Sequence, residues 1–190
     1  MRWNWTQPDW PSFRYDSAAL EHFERLFLLT SGEILGAVRH VTGDERDRLR
    51  IELLSEEAIR TSAIEGEVLD KEQVRSSIAR RLGLDIGALA PVDRDVEGVV
   101  EMMLDATQRY DKPLTKERLF DWHAALFPTG RSGMTRIRVG AWRDGSLGPM
   151  QVVSGPIGRE RVHFEAPAAD RLDVEMERFL AWFEAPTEID

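Results

Sequence analysis

The sequence predicts a mainly α-helical protein, a bundle of about six helices with one small β-hairpin, and three patterns lead to this expectation. Apolar residues recur at spacings of three and four between residues 17 and 126, and again after residue 169. Residues that cap helices precede several of these stretches, and glycines follow others. The segment 128–168 is rich in glycine and lacks helical periodicity, which confines the β-structure to that region.

The composition is that of a globular protein, and it excludes several functional classes. Six tryptophans and eight phenylalanines among 190 residues can supply a core, so we do not expect disorder. The formal net charge of −9 makes nucleic acid a poor partner, since the nearest approach to a basic patch is Arg75, Arg80 and Arg81. The absence of cysteine excludes disulfides and thiolate sites and fits a cytoplasmic location. No apolar run is long enough to cross a bilayer, so we expect no membrane partner.

Three helices are expected in the first 85 residues, after a tryptophan-rich extended arm at 1–15. The first helix begins at Asp16 or Ser17, and its apolar face is Leu20, Phe23, Leu26, Phe27, Ile34 and Leu35. The second runs from about 44 to 65, and its inward stripe is Leu49, Leu53 or Leu54, Ala58 and Thr61. Asp70 caps the third, Gln73 completes a capping box, and Gly83 ends the helix.

The remaining elements lie beyond a connector at 84–92, which we take as a domain boundary between residues 1–85 and 93–190. Helices are expected over about 93–110, over 115–127 after the cap Thr115, and from about 169 to Pro186. His123 is expected to be a packed histidine with one satisfied nitrogen. Two strands, Met150–Val153 and Arg161–Phe164, are expected to form a hairpin with a long loop.

The segment 61–67 is the strongest candidate for chemistry, because phosphate-loop, dinucleotide and histidine-metal motifs are absent from the sequence. Thr61 and Glu65 share one helix face, and Gly66 occupies the position of a C-terminal glycine. A carboxylate in the last helical turn opposes the helix dipole, which suggests a cationic partner elsewhere. Spacing alone leaves the alternative open, and even favours it, that Glu65 is an ordinary surface glutamate.

These residues resemble the Fic proteins, enzymes that transfer AMP from ATP to hydroxyl side chains of other proteins. Thr61-x-x-x-Glu65-Gly66 is similar to the Ser/Thr-x-x-x-Glu-Gly/Asn inhibitory motif of that family. The segment 5–11 resembles the opening of a helical domain of unknown function found before many bacterial Fic domains, and 62–67 and 74–83 resemble its later signatures. Residues 152–167 resemble the flap of the same proteins.

The resemblance implies roles for two groups of residues. Glu65 would pair with the arginine that otherwise binds the ATP γ-phosphate, Thr61 would orient Glu65, and Gly66 would end the helix. The flap hairpin would receive a target peptide as an added strand and present its hydroxyl for reaction. The docking candidates are Met150, Gln151, Val152, Val153, Ser154, Arg161, Val162, His163 and Phe164. A purely structural hairpin remains an equal alternative.

The catalytic loop of the family, His-x-Phe-x-Asp/Glu-Gly-Asn-Gly-x-x-Arg, does not occur in the chain, since no histidine has phenylalanine two residues later and Asn4 is the only asparagine. We therefore expect no catalytic residue and no metal site in this chain, with ATP and Mg²⁺ bound only by the complete protein. The expected helices at 93–110, 115–127 and 170–184 would then expose apolar side chains, favouring self-association and leaving a homodimer open.

Two functions follow from the resemblance. The chain is expected to be the auto-inhibitory front portion of a protein adenylyltransferase, inactive alone, whose partners are the missing catalytic half and a protein target with a hydroxyl side chain. The alternative is a stand-alone, antitoxin-like binding module that inhibits a separate Fic chain in trans. A structural adaptor with a relic motif is a third possibility.

Overall fold

The computed structural model is mainly helical, as predicted, and its described residues form six α-helices and two small antiparallel hairpins. The structure describes residues 3–85, 87, 90–132, 134–146, 148–156 and 158–185. The helices are α1 (Ser17–Val38), α2 (Gly43–Ile64), α3 (Lys71–Leu82), α4 (Arg94–Gln108), α5 (Lys116–Leu126) and α6 (Leu172–Phe183). The strands are β1 (Arg131–Ser132), β2 (Thr135–Arg136), β3 (Gln151–Ser154) and β4 (Arg161–Glu165). Short 3-10 helices span Asn4–Thr6 and Ala169–Arg171.

By its internal contacts the chain divides into two units, Met1–Glu52 and Leu53–Asp190, and the division falls inside α2. The connector at 84–92 does not separate its neighbours in the structure, because α3 packs against α4 across it. The expected division into domains at 1–85 and 93–190 stays a prediction. Among the described residues no helix has the length and apolar character needed to cross a membrane.

The predicted helix caps are present where the sequence places them. The Asp16 carboxylate accepts hydrogen bonds from the N–H groups of Ala18 and Ala19 at the start of α1. The Thr115 hydroxyl likewise accepts the N–H of Arg118 in the first turn of α5. Because these interactions join residues two or three positions apart, the sequence alone is enough to predict them.

The capping box predicted at α3 is only half correct. Asp70 Oδ1 accepts the N–H of Gln73 at 2.9 Å, as expected. The Gln73 amide does not return to Asp70, however. It donates to Asp93 Oδ2 at 3.1 Å and accepts the N–H of Asp93 at 2.8 Å. The side chain therefore joins the starts of α3 and α4, a tertiary contact that competes with the local box.

The inward stripe predicted for α2 is largely wrong. The buried residues of this helix are Ile51, Ser55 and Ala58, of which only Ala58 was predicted. Leu49, Leu53 and Thr61 are exposed, whereas Leu54, the predicted alternative to Leu53, is half-buried. The buried face begins at Ile51 instead of Leu49, and because each residue turns an α-helix by about 100°, most of the predicted leucines point in another direction. Ser55, at the centre of this face, carries no hydrophobic signal in the sequence.

The core of the second unit lies between α3, α4 and α5, which pack in succession. The largest fully buried apolar side chains in it are Ile78, Val74 and Val100. At Gly98 the two helices α4 and α5 approach so closely that a Cβ would lie 1.9 Å from the carbonyl oxygen of Ala125. The expectation that α4 exposes its apolar face is therefore wrong, because α3 and α5 cover it.

The glycine-rich region contains the predicted hairpin and one that was not predicted. β3 and β4 pair antiparallel, with a register irregularity between Val152 and Val153. β1 and β2 form a second antiparallel pair of two residues each, too short to leave a periodic signal. A 3-10 turn leads into α6, whose apolar side chains are partly exposed as predicted, Trp182 and Phe183 among them. The expected helix stop at Pro186 lies outside the described residues.

Candidate functional site

The end of α2 has the geometry that the sequence predicted for a glycine stop. The helix ends at Ile64, and Gly66 adopts a left-handed conformation with φ of +84°. The N–H of Glu67 bonds to the carbonyl of Ser62 at 2.9 Å, and the N–H of Gly66 bonds to that of Ala63 at 3.1 Å. These two bonds form a Schellman motif, which holds residue 65 in a defined position directly after the helix.

Glu65 is exposed at this position. Its carboxylate makes no hydrogen bond and no ion pair with any residue in the described part of the chain. Arg60, which precedes Glu65 by five positions on α2, is paired with Glu56 at 2.5 Å. The Glu65 carboxylate is consequently solvated and able to meet a cation presented by another surface.

The Thr61 hydroxyl does not hydrogen-bond to Glu65 in this structure. Its hydroxyl donates to Glu57 Oε1 at 3.0 Å, one turn toward the N-terminus of α2. The direction has a simple cause, because side chains on a helix lean toward its N-terminus and so meet the residue four positions earlier. Glu65, in addition, lies one residue beyond the helix. The orienting role implied by the resemblance would need the hydroxyl to change its partner.

Two of the three arginines in the nearest approach to a basic patch, Arg80 and Arg81, pair with carboxylates of α4. Arg80 Nη1 lies 3.1 Å from Glu97, and Arg81 Nη2 lies 2.9 Å from the same carboxylate. Arg81 also pairs with Glu101 at 3.1 Å. These pairs join α3 to α4 and place a carboxylate beside each of the two guanidinium groups.

The hairpin of β3 and β4 is exposed and has free edges. No third strand pairs with it among the residues that the structure describes. All four residues of β3 are exposed, and so is Met150 just before it. A two-stranded sheet of this kind can accept a further strand through its unpaired N–H and C=O groups.

Side-chain contacts between the two strands fix the hairpin register. The Gln151 amide donates to Glu165 at 2.7 Å, and Ser154 Oγ lies 2.6 Å from His163 Nε2. The register irregularity places one extra residue, His163, opposite the step from Val152 to Val153. At the base of the hairpin, the N–H of Ala166 bonds to the carbonyl of Met150 at 2.9 Å. The docking candidates thus form one ordered element.

His123 is packed as predicted. Its Nδ1 accepts the N–H of Gly140 at 3.2 Å, and its ring lies against Phe127 with centroids 5.0 Å apart. One ring nitrogen is therefore engaged in holding the segment after β2 against α5. This supports a structural role for the residue.

A cavity of about 410 Å³ lies beside the start of α5, and sequence reasoning missed it. Lys116 Nζ lies 2.6 Å from Asp173 and within 6 Å of the ring centroids of Phe120 and Trp142, at 5.7 and 5.9 Å. The hydrogen bond from Lys116 lowers the pKa of Asp173 below its usual value. The two charged residues are 57 positions apart, so no local pattern links them.

A second cavity, of about 570 Å³, borders α4 and α5 next to a charged network. Asp105 accepts hydrogen bonds from Arg118 Nε at 2.7 Å and from Trp122 Nε1 at 2.8 Å. Arg118 also donates to the backbone carbonyls of Lys112 and Arg109. The network connects the end of α4 to α5, and its groups bind one another, as expected of a structural ion pair.

No cluster of three histidine, aspartate or glutamate side chains in the described ranges is placed to hold a metal ion. The ATP and Mg²⁺ expectation concerns the complete protein and stays a prediction.

One comparison with known proteins bears on the N-terminal part of the chain. Residues 3–84 match a domain of unknown function, DUF4172. The matched range contains α1, α2 and α3, and with them Thr61, Glu65 and Gly66. Among curated proteins no match to the chain was found. The matched range therefore gives the candidate residues a domain context but carries no activity with it.

Proposed function

We propose that this chain is the inhibitory portion of a Fic-type protein adenylyltransferase, with Glu65 competing against the ATP γ-phosphate. The observation that carries the proposal is the placement of Glu65. Its carboxylate is exposed, lacks a partner among the described residues, and follows a Schellman turn that fixes its backbone. A residue that must bind a second surface needs a fixed backbone and a side-chain carboxylate that has no other partner.

The chemistry of inhibition follows from charge. Transfer of AMP requires cations on the ATP phosphates, and an arginine supplies part of that charge. A carboxylate that binds the guanidinium through two hydrogen bonds removes the arginine from the phosphate. Since Glu65 has no partner to give up in this chain, only water must leave when the pair forms. The catalytic half would supply the arginine.

The exposed hairpin supports the second part of the proposal, that the chain also helps to hold the protein target. β3 offers an unpaired edge, and the apolar side chains of Val152 and Val153 on it are exposed. An extended peptide can add to such an edge through backbone hydrogen bonds, while the side chains set specificity.

The match of residues 3–84 to a domain of unknown function agrees in extent with the regulatory domain expected from the resemblance. It supports a regulatory sequence domain that extends over α1, α2 and α3 and carries Glu65. The match is equally compatible with the alternative that the chain acts in trans, as an antitoxin-like module bound to a separate catalytic chain.

The test is AMP transfer from labelled ATP by a Fic catalytic half joined to this chain. Replacement Glu65→Gln removes the charge but keeps the shape. Loss of a charge-assisted hydrogen bond worth about 1.5–3 kcal/mol should raise AMP transfer by about tenfold or more. The matched control is Glu67→Gln, because Glu67 is also exposed and lies just across Gly66. Equal activity of the two variants and the unchanged chain would refute the proposal.

The glycine offers a second comparison. Gly66→Ala creates no steric contact, since nothing lies within 4 Å of the position of a Cβ, but alanine resists the left-handed φ of +84°. Gly66→Asn tolerates that conformation better. We expect Gly66→Ala to weaken inhibition and Gly66→Asn to preserve more of it. If the unjoined chain, added as a separate molecule, inhibits equally well through Glu65, the trans alternative is favoured.

A further inference from the structure

The glycine-rich segment 128–165 has a charge opposite to that of the chain as a whole. It contains six arginines and three acidic residues, hence a net charge of +3, whereas the full chain carries −9. The β3–β4 hairpin lies at the C-terminal end of this segment. Because a local excess of positive charge attracts groups of the opposite sign, this region favours an acidic partner.

Two of these arginines, Arg159 and Arg161, lie at the loop end of the β3–β4 hairpin. Both residues are exposed, and neither guanidinium binds a carboxylate in the part of the chain that the structure describes. Glu160 lies between them in the sequence, but its carboxylate accepts the N–H of Gly158 at 2.8 Å. This hydrogen bond holds the pKa of Glu160 below the ordinary value of a glutamate. The carboxylate is therefore bound to the loop backbone and leaves both guanidinium groups unpaired.

Local contacts hold the backbone that carries these two arginines. The N–H of Arg159 bonds to the carbonyl of Pro156 at 2.9 Å, which closes a turn. Gly155 has a φ of +105°, and a Cβ at this position would lie 3.0 Å from the carbonyl oxygen of Arg159. Arg161 pairs with Ser154 in the antiparallel ladder. Both guanidinium groups are thus carried by fixed backbone positions next to the end of β3.

The base of the hairpin carries the opposite charge. There Glu165 pairs with Gln151 in the ladder, and the Gln151 amide donates to the Glu165 carboxylate at 2.7 Å. A strand added to the free edge of β3 would lie about 5 Å from β3 and about 10 Å from β4, a distance that an arginine and a carboxylate side chain can span together. The loop end would then attract an acidic residue of the added strand and repel a lysine.

We propose that the β3–β4 hairpin selects acidic target segments, namely extended peptides that carry aspartate or glutamate next to the acceptor hydroxyl. The inference rests on the proposed function, because it assumes that the target adds to the free edge of β3. Backbone hydrogen bonds to β3 hold the strand, and Arg159 and Arg161 bind its carboxylates. The hairpin thereby contributes to the choice of target as well as to its binding.

The test is a nuclear magnetic resonance titration of the full, isotope-labelled chain, without ATP and without a catalytic half. Two short peptides share a central threonine and differ only in its neighbours, which are aspartates in one peptide and lysines in the other. We expect the aspartate peptide to shift the amide signals of Val152 and Val153. It should bind at least about fivefold more tightly, because each exposed ion pair gained or like-charge pair avoided changes the affinity by up to about fivefold.

The double variant Arg159→Gln/Arg161→Gln should remove most of this preference, because it removes both free guanidinium groups at the loop end. The matched control is Arg131→Gln/Arg136→Gln, which changes the net charge equally. Arg131 and Arg136 are also exposed, and they face each other across β1 and β2. We expect the control to keep the preference. Equal loss in the two double variants would indicate a long-range effect of net charge and would overturn the proposal.

Salt provides a second measurement, which needs no variant and so stays decisive if one misfolds. Raising the ionic strength from about 0.1 M to about 1 M shortens the Debye length from about 10 Å to about 3 Å, so the preference should fall to about twofold or less. Equal affinity for the two peptides at low salt, or a preference that salt leaves unchanged, would overturn this inference alone. Binding of neither peptide would refute the docking part of the proposed function, and this inference with it.

Discussion

The close approach of α4 and α5 at Gly98 allows one prediction with a sign that can be worked out in advance. A methyl group at this position would lie 1.9 Å from the carbonyl oxygen of Ala125 and 2.7 Å from its carbonyl carbon. Both atoms belong to the backbone of α5, so no side chain can rotate out of the way. The two helices would have to separate by more than 1 Å, which disrupts the packing of buried neighbours such as Val100.

The magnitude follows from two opposing terms. Alanine is favoured over glycine in a helix by about 1 kcal/mol, which stabilises the variant. Overpacking against a backbone atom costs about 1–3 kcal/mol and at this distance should reach or exceed the upper end of that range. Gly98→Ala should therefore lower the free energy of unfolding by about 2 kcal/mol.

Gly36→Ala is the matched control, because it makes the same chemical change in an open part of a helix. Nothing lies within 4 Å of the position of its Cβ. The change should stabilise α1 by about 0.5–1 kcal/mol. Urea unfolding followed by circular dichroism measures both variants, and hydrogen exchange assigns the gain to α1. A Gly98→Ala protein as stable as the parent would refute the close approach of α4 and α5.

Two further predictions concern contacts between helices. Burial raises the pKa of Asp105, but hydrogen bonds from Arg118 and Trp122 outweigh burial and hold this pKa below the ordinary value of an aspartate. The stabilisation is therefore complete above the ordinary aspartate pKa of about 3.9, and it is lost as pH falls through the lowered folded-state pKa. Asp105→Asn should cost about 2–4 kcal/mol at neutral pH and flatten the acid limb of the unfolding curve; an unchanged limb would contradict this assignment. Gln73→Ala should lower the free energy of unfolding in urea by about 1–2 kcal/mol, because it removes both hydrogen bonds to Asp93. Asp93→Ala should also destabilise the protein, and a neutral effect of Asp93→Ala would instead indicate a purely local capping box at α3.

The elements that could be predicted from sequence are those whose signals are local. Asp16, Asp70 and Thr115 cap their helices through groups two or three residues away, and Gly66 and Gly83 end helices by adopting a left-handed conformation themselves. The β3–β4 hairpin could also be predicted, because two short apolar stretches flank a glycine-rich turn. Each of these signals is contained within one stretch of chain.

The features that could not be predicted depend on distant partners. Gln73 binds Asp93 twenty residues away, and Lys116 binds Asp173 fifty-seven residues away. The buried face of α2 includes, beside Ile51, the small residues Ser55 and Ala58, which a hydrophobicity pattern does not distinguish from exposed small residues. For such contacts the sequence is equally consistent with a partner nearby in the chain, and only the tertiary structure shows which partner the side chain binds.

At the candidate site the sequence predicted the glycine stop at Gly66, but it placed Glu65 in the last helical turn, one residue inside the observed end of α2 at Ile64, and it did not reveal what Thr61 binds. A threonine hydroxyl has one hydrogen to donate, and in this structure Glu57 receives it. Donation to Glu65 therefore requires the hydroxyl to turn away from Glu57. The exchange replaces one exposed carboxylate acceptor with another and leaves Glu57 in water, so its net cost is small. On the proposed function, the strength of inhibition must then come from the pairing of Glu65 with a guanidinium, and Thr61 can select the direction of Glu65 without setting that strength.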